Sequence, residues 1–177
     1  MNSEWDCFIR AQQGDDLSWR VLIGQHQRRL TVLALMVTGS VSTAEDIVQE
    51  TFLRAIKAKM KCYSGTVSGF LGTIAYRLAV KEARRAKRHT PLDGLVLSDR
   101  GGSALDGLLN DERERLVIEA ICALDDNHRE VLVLRFYGGY SYEEIADFLH
   151  VALGTVKSRM FNAVKSCRET LRQKGVI

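Results

Sequence analysis

The sequence predicts an all-α chain: two small helical domains joined by a flexible linker, with a helix-turn-helix in the C-terminal domain. Three observations predict it. Apolar residues recur at helical spacing along most of the 177 residues. That pattern breaks in one stretch, His89–Asn110, which holds the only proline and four of the glycines. The last third carries two short amphipathic segments about a tight turn, the second with polar and basic residues at its front end. The expected domains are residues 1–90 and 111–177, with a linker at 91–110.

In order along the chain, a short helix is expected over about 4–12. A long one starts at Asp15, Asp16 or Ser18 and runs to about Thr38. Val21, Leu22, Leu30, Leu33, Ala34 and Val37 supply its apolar side, and Gly39 suits its C-terminal stop. The next helix is expected to open with a capping box, Ser42 with Glu45. At about 100° per residue, Val48, Phe52, Ala55, Ile56 and Met60 face the core. Asp46, Glu50, Arg54 and Lys57 fall on the opposite arc, with Ile47 beside Arg54 and Leu53 at the other border. A polar face edged by apolar residues suits either a docking surface or ordinary solvent exposure.

Lys61–Gly69, KCYSGTVSG, is small, polar and glycine-containing, so a loop is expected. A helix to about Arg88 follows. Phe70, Leu71, Ile74, Ala75 and Leu78 point inward, while Arg77, Lys81, Arg84, Arg85, Lys87 and Arg88 gather outward and towards its end. Cations there also suit the helix dipole. Fully extended, the 22 residues of His89–Asn110 span at most ~70 Å, about two turns of B-DNA.

The second domain is expected to begin with helices from about Asp111 to Leu124 and from near Asn127 to before Gly138-Gly139, with Val131, Leu132 and Leu134 packing. Then comes SYEEIADFLHVALGTVKSRMFNAVK, residues 141–165. Ser141 and Glu144 form a capping box, and Ile145, Ala146 and Leu149 make an apolar stripe. A second helix follows, with Thr155, Lys157, Ser158, Arg159 and Asn162 near its start and Val156, Met160, Ala163 and Val164 left for packing. The major groove admits one helix whose front-end side chains reach base edges. The same spacing also fits two helices of an ordinary bundle.

Net charge is only +3, but its distribution is uneven. Residues 1–88 carry 14 Lys/Arg against 8 Asp/Glu, residues 111–147 carry 4 against 10, and residues 148–177 carry 6 against 1. Two basic patches, near 77–88 and 157–174, suit two contacts with a polyanion. No apolar run approaches the ~18 residues of a membrane span, and MNSEWDCFIR lacks a signal peptide's hydrophobic core, so a cytoplasmic location without membrane insertion is expected. Cys7, Cys62, Cys122 and Cys167 stand far apart without metal-ligand spacing and read as reduced packing residues. His26, His89, His128 and His150 are scattered and read as surface residues. No phosphate loop, zinc spacing or nucleophile with a matched base supports an enzyme, a metal, a cofactor or a small-molecule substrate.

TAEDIVQETFLRAIKA followed by FLGTIAYRLAVKEARRAKR resembles region two of bacterial sigma factors, and LDDNHREVLVLRFYGGYSYEEIADFLHVALGTVKSRMFNAVKSCRETL resembles their region four. With only these two regions and a short linker, the chain resembles the extracytoplasmic-function (ECF) group. The resemblance implies a transcription initiation factor that binds core RNA polymerase, recognises minus-ten and minus-thirty-five promoter elements and opens the duplex. It assigns Asp46, Gln49 and Glu50 to polymerase docking. It assigns Tyr63, Ser64 and Thr66 to base capture at the minus-ten element, with Arg77, Lys81, Arg84 and Arg85 on the strand's phosphates. Thr155, Lys157, Ser158, Arg159 and Asn162 fall to the minus-thirty-five element. Many members of the group are held by an anti-sigma partner. Three positions depart from the common pattern. Gly69-Phe70-Leu71 stands for an aromatic-containing A-W-L, His150 for a turn glycine, and Ala152 for a serine or proline that often begins the recognition helix. From the residues alone, a stand-alone helix-turn-helix regulator that acts without polymerase is the other reading.

Overall fold

The structure is a computed structural model that describes residues 3–58, 65–89 and 112–177. Among these residues every regular element is an α-helix. They divide into two compact units, Met1–Val96 and Leu97–Ile177. The expected linker at 91–110 lies outside the described residues.

The first unit contains α1 (Ser3–Gln12), α2 (Asp16–Thr38), α3 (Val41–Lys57) and α4 (Val67–His89). Its centre is the second half of α2. Residues 30–36 are buried on every side, because α1, α3 and α4 all pack on this helix. Truncating a fully buried side chain such as Leu33 to alanine would cost ~2–5 kcal/mol. The first half of α2 is only partly covered. Val21, expected in the core, is 49% exposed, and Leu17 is 72% exposed.

Local chemistry sets the helix ends. Asp15 caps α2, accepting from the backbone N–H of Leu17 and from the Ser18 hydroxyl. Gly39 ends α2 in the left-handed region at φ 68°, and its N–H reaches Leu35 O. Ser40 follows at once in an extended conformation and caps α3 by accepting from Thr43 N. The helix therefore begins two residues before the expected Ser42 and Glu45 box, which does not form the cap. A chain leaving a glycine stop has its next extended residue ready to serve as N-cap.

Two expectations for α3 are corrected. Ile47 is buried at 4% exposure, and Ile56 is 40% exposed. The helix is rotated so that Ala44, Ile47, Val48, Thr51, Phe52 and Ala55 face the core. Thr51 tolerates this burial because its hydroxyl donates to Ile47 O. Helix α4 also starts earlier than expected: Val67, Ser68 and Gly69 belong to its first turn, and the Thr66 hydroxyl accepts from Gly69 N at 3.0 Å. His26, read as a surface residue, is buried, because it lies one turn from Leu22 and Leu30 on the packed side of α2.

The second unit contains α5 (Glu112–Cys122), α6 (Asp126–Phe136), α7 (Tyr142–Leu149) and α8 (Leu153–Gln173), with α8 packing against the other three. Asp125 caps α6 through the N–H groups of Asn127 and His128. Arg129 donates to Cys122 O and Leu124 O and so closes the end of α5. Gly138 is required after α6, since a Cβ there would stand 2.6 Å from Leu134 O. Tyr140 is buried beneath Phe148, their ring centroids 5.6 Å apart. The capping box expected at Ser141 and Glu144 forms, with Ser141 N donating to Glu144 Oε2 at 2.7 Å and Glu144 N to Ser141 Oγ at 3.1 Å.

Candidate nucleic-acid interface

The turn between α7 and α8 decides what α8 presents. His150 takes the left-handed conformation, φ 54° and ψ 45°, where most residues would want glycine. Val151 N then donates to Ala146 O at 3.0 Å, satisfying a carbonyl at the end of α7. Ala152 is the N-cap of α8 and has no side-chain cap bond, as its methyl group dictates. Val156, Met160 and Ala163 are buried and hold α8 to its unit.

Their burial turns the opposite side of α8 outward. At about 100° per residue, Gly154, Ser158, Phe161 and Lys165 form one row, flanked by Lys157 and Asn162. All six are exposed. Thr155 and Arg159, also expected at the interface, are half-buried at the border of this face. The side chains brought together are thus cations, hydroxyl and amide hydrogen-bonding groups and one aromatic ring. Phe161 is 70% exposed. The motif reading gave it no role, yet projecting residues 154–165 on a helix places it at the centre of the polar face. An apolar side chain among donors and acceptors suits a thymine methyl group, which base-edge readout uses alongside hydrogen bonds.

A second basic face lies on α4. Arg77, Lys81, Arg84 and Arg85 are all exposed, and their spacing puts them on one side of the helix. Arg85 approaches Glu82 only at 3.7 Å across an exposed surface, a pair too weak to withdraw it from other anions. Thr66 is exposed at the start of this helix and engaged in its cap. Tyr63 and Ser64 lie outside the described residues.

The third candidate face is on α3. Asp46 and Gln49 are exposed, and Glu50 is half-buried and paired with Arg54, Oε1 to Nε, at 2.6 Å. Leu53, expected at the border, is 51% exposed and sits in the same row one turn from Gln49 and Glu50. With Ile47 turned inward, the face is an apolar knob ringed by charge.

On the other side of α8 an apolar groove of 510 Å³ opens between α5, α6 and the C-terminus, lined by Ile121, Leu132, Phe136, Val164, Leu171 and Ile177. Cys122 and Cys167 are free thiols. Burial pushes Cys122 up to about 11 and Cys167 up from its ordinary value, so both remain protonated and behave as small apolar residues. Among the described residues, no group of three His, Cys, Asp or Glu side chains stands together as a metal site, and no helix is long and apolar enough to cross a membrane.

Comparison with known proteins follows the same division into units. Residues 22–89 match the family model of Sigma-70 region 2, and residues 120–169 match that of Sigma-70, region 4. The ECF RNA polymerase sigma factor SigL of Mycobacterium tuberculosis is 34% identical over 160 residues, which cover 89% of this chain and 90% of that protein. The RNA polymerase sigma-H factor of Pseudomonas aeruginosa is 29% identical over 178 residues, covering 92% and 91%. Among solved structures, CnrH in complex with the cytosolic domain of CnrY is similar with a TM-score of 0.60 at 20% identity, covering 97% of this chain and 99% of that one. The sigma factor RpoE in complex with the anti-sigma factor NepR, from Bartonella quintana, is similar with a TM-score of 0.59 at 21% identity, covering 87% and 96%. At these identities the two structures show a shared fold.

Proposed function

This chain belongs to the ECF-type RNA polymerase sigma factors, and from that membership we propose that it binds core RNA polymerase, carries it to promoters and opens the duplex there. The minus-thirty-five element is read by α8 and the minus-ten element is captured at α4. The observation that carries this reading is the row on α8, where Lys157, Ser158, Phe161, Asn162 and Lys165 are all exposed on the side turned away from the core of their unit. Lysines there neutralise phosphates, while Asn162 and Phe161 reach base edges; one good bidentate base contact discriminates by about 1–3 kcal/mol. Thr155 and Arg159 flank the row and take its outer contacts.

In the same reading the cations of α4 hold the phosphates of an opened strand, and Thr66, with Tyr63 and Ser64, receives the extruded base. Extrusion costs a few kcal/mol, which a fixed pocket and aligned cations offset. Asp46, Gln49 and Glu50, with Leu53 among them, dock on the polymerase. The two solved neighbours are complexes, one with the cytosolic domain of CnrY and one with the anti-sigma factor NepR, and an anti-sigma partner is part of the reading. The apolar groove beside α8 is left for protein rather than DNA.

Run-off transcription tests this. Core polymerase plus this protein is expected to start at defined sites that core alone does not use. Asp46→Arg is expected to weaken core binding at least tenfold with an unchanged circular-dichroism spectrum. If the protein instead binds specific DNA tightly by itself and never co-elutes with core, it acts as a stand-alone regulator and the proposal fails.

A further inference from the structure

The N-terminal helix does something that the matched segments leave out. Trp5 of α1 is buried, and its indole N–H donates to Gly65 O at 3.0 Å, a contact between residues 60 apart in sequence. From α2, Arg29 Nη2 donates to Ser68 O at 2.8 Å. These two bonds hold the backbone on either side of Thr66, whose own hydroxyl caps α4 through Gly69 N. Behind them, Trp5, Phe8 and Phe70 form a cluster with ring centroids 5.5–6.0 Å apart, so the indole is fixed by packing as well as by its bond. Residues 3–12 lie before the stretch that matches the family model, which begins at 22.

We infer that Trp5 and Arg29 are positioning residues for strand capture: α1 and α2 clamp the entry to α4 so that Thr66 and the α4 cations keep a fixed geometry when DNA is unstacked. This rests on the proposed role of α4. The physical need is clear. An exposed segment leading into a helix would otherwise be ordered only when the strand arrives, and that ordering entropy would be subtracted from capture. Two donors, a buried indole and a half-buried guanidinium carried by α2, remove most of that cost in advance. Neither side chain touches DNA in this arrangement; both act through the backbone at residues 65–69.

The test uses holoenzyme reconstituted with the wild type, Trp5→Phe, Arg29→Met and Arg29→Lys. Phe8→Leu serves as a packing control, since it disturbs the same aromatic cluster without removing either bond. Three quantities are read: core affinity, melting temperature of the free protein, and promoter opening. Opening is followed with 2-aminopurine placed in the minus-ten element of a promoter mapped by run-off transcription. Trp5→Phe and Arg29→Met are each expected to slow opening about fivefold, the factor of one lost hydrogen bond, with core affinity unchanged. Arg29→Lys keeps one donor and is expected to recover most of the rate. Phe8→Leu is expected to lower the melting temperature more than it slows opening. If the variants open DNA as the wild type does, or if opening falls only in step with melting temperature and core affinity, the positioning role is overturned. A wild-type holoenzyme that binds promoters but never opens them removes the proposed function itself, and with it this inference.

Discussion

His26 has 5% of its surface exposed, and its Nε2 stands 3.0 Å from Glu4 Oε1 on α1. Burial comes first among its influences and pushes the imidazole below its usual 6.5; Glu4 pulls it up, and Arg29 pushes it further down. The unfolded chain therefore takes up this proton at a higher pH than the folded one does. Stability from this site is fully present above about 6.5 and is lost as pH falls below it. The melting temperature is expected to fall as pH is lowered below about 6.5, and His26→Gln is expected to flatten that decline. Equal slopes in the two proteins would show that His26 titrates alike folded and unfolded. Its polar identity, and the scatter of the four histidines, placed it at the surface, although its spacing from Leu22 and Leu30 puts it on the packed side of α2.

At the scale of one element, the two helices of the helix-turn-helix differ in how they begin. Helix α7 has a complete capping box, whereas α8 starts at Ala152 with extended φ −65° and ψ 145° and no side-chain bond. Ala152 thus already has the backbone conformation of a cap and lacks only the oxygen. Ala152→Ser is expected to stabilise the protein by about 1 kcal/mol and Ser141→Ala to destabilise it by about the same amount. Thermal melts of the two variants check both, and a destabilised Ala152→Ser would show that the hydroxyl cannot reach the first turn. Capping boxes were legible at one site and misleading at another. Ser141 with Glu144 forms one, while Ser42 with Glu45 does not, because Gly39 had already fixed where α3 begins.

At the scale of the whole molecule, the helices fall into two compact units, each with its own buried residues: Phe8, Leu30, Leu33 and Leu71 in one, Ile118, Val131, Leu134 and Ile145 in the other. Each is small, and modules of this size fold alone when their cores are continuous. Fragments 1–96 and 97–177 are expected to melt cooperatively on their own, and their summed circular-dichroism spectra are expected to match that of the intact chain. A fragment that is unfolded alone would mean that its core is completed by the other. The division of labour proposed for the chain needs this independence, since each unit must meet its own stretch of promoter.

Periodicity and punctuation were enough to place most of the architecture. Every described helix lies close to where apolar spacing, caps and glycines put it, since those signals act within one or two turns of chain. The motifs were also legible, because AEDIVQE and GTVKSR stand at fixed spacing in the sequence itself. Rotation about the helix axis was legible on α7 and α8, where Ile145, Ala146, Val156, Met160 and Ala163 are buried as expected, but not along all of α2 and α3. Ile47 turned inward and Ile56 outward on α3, and Val21 stayed in solvent on α2. Which side of a helix is covered depends on the neighbours that arrive from far along the chain. The bonds from Trp5 to Gly65 and from Arg29 to Ser68 belong to the same class: no local pattern encodes them, and only packing α1 and α2 against the start of α4 creates them.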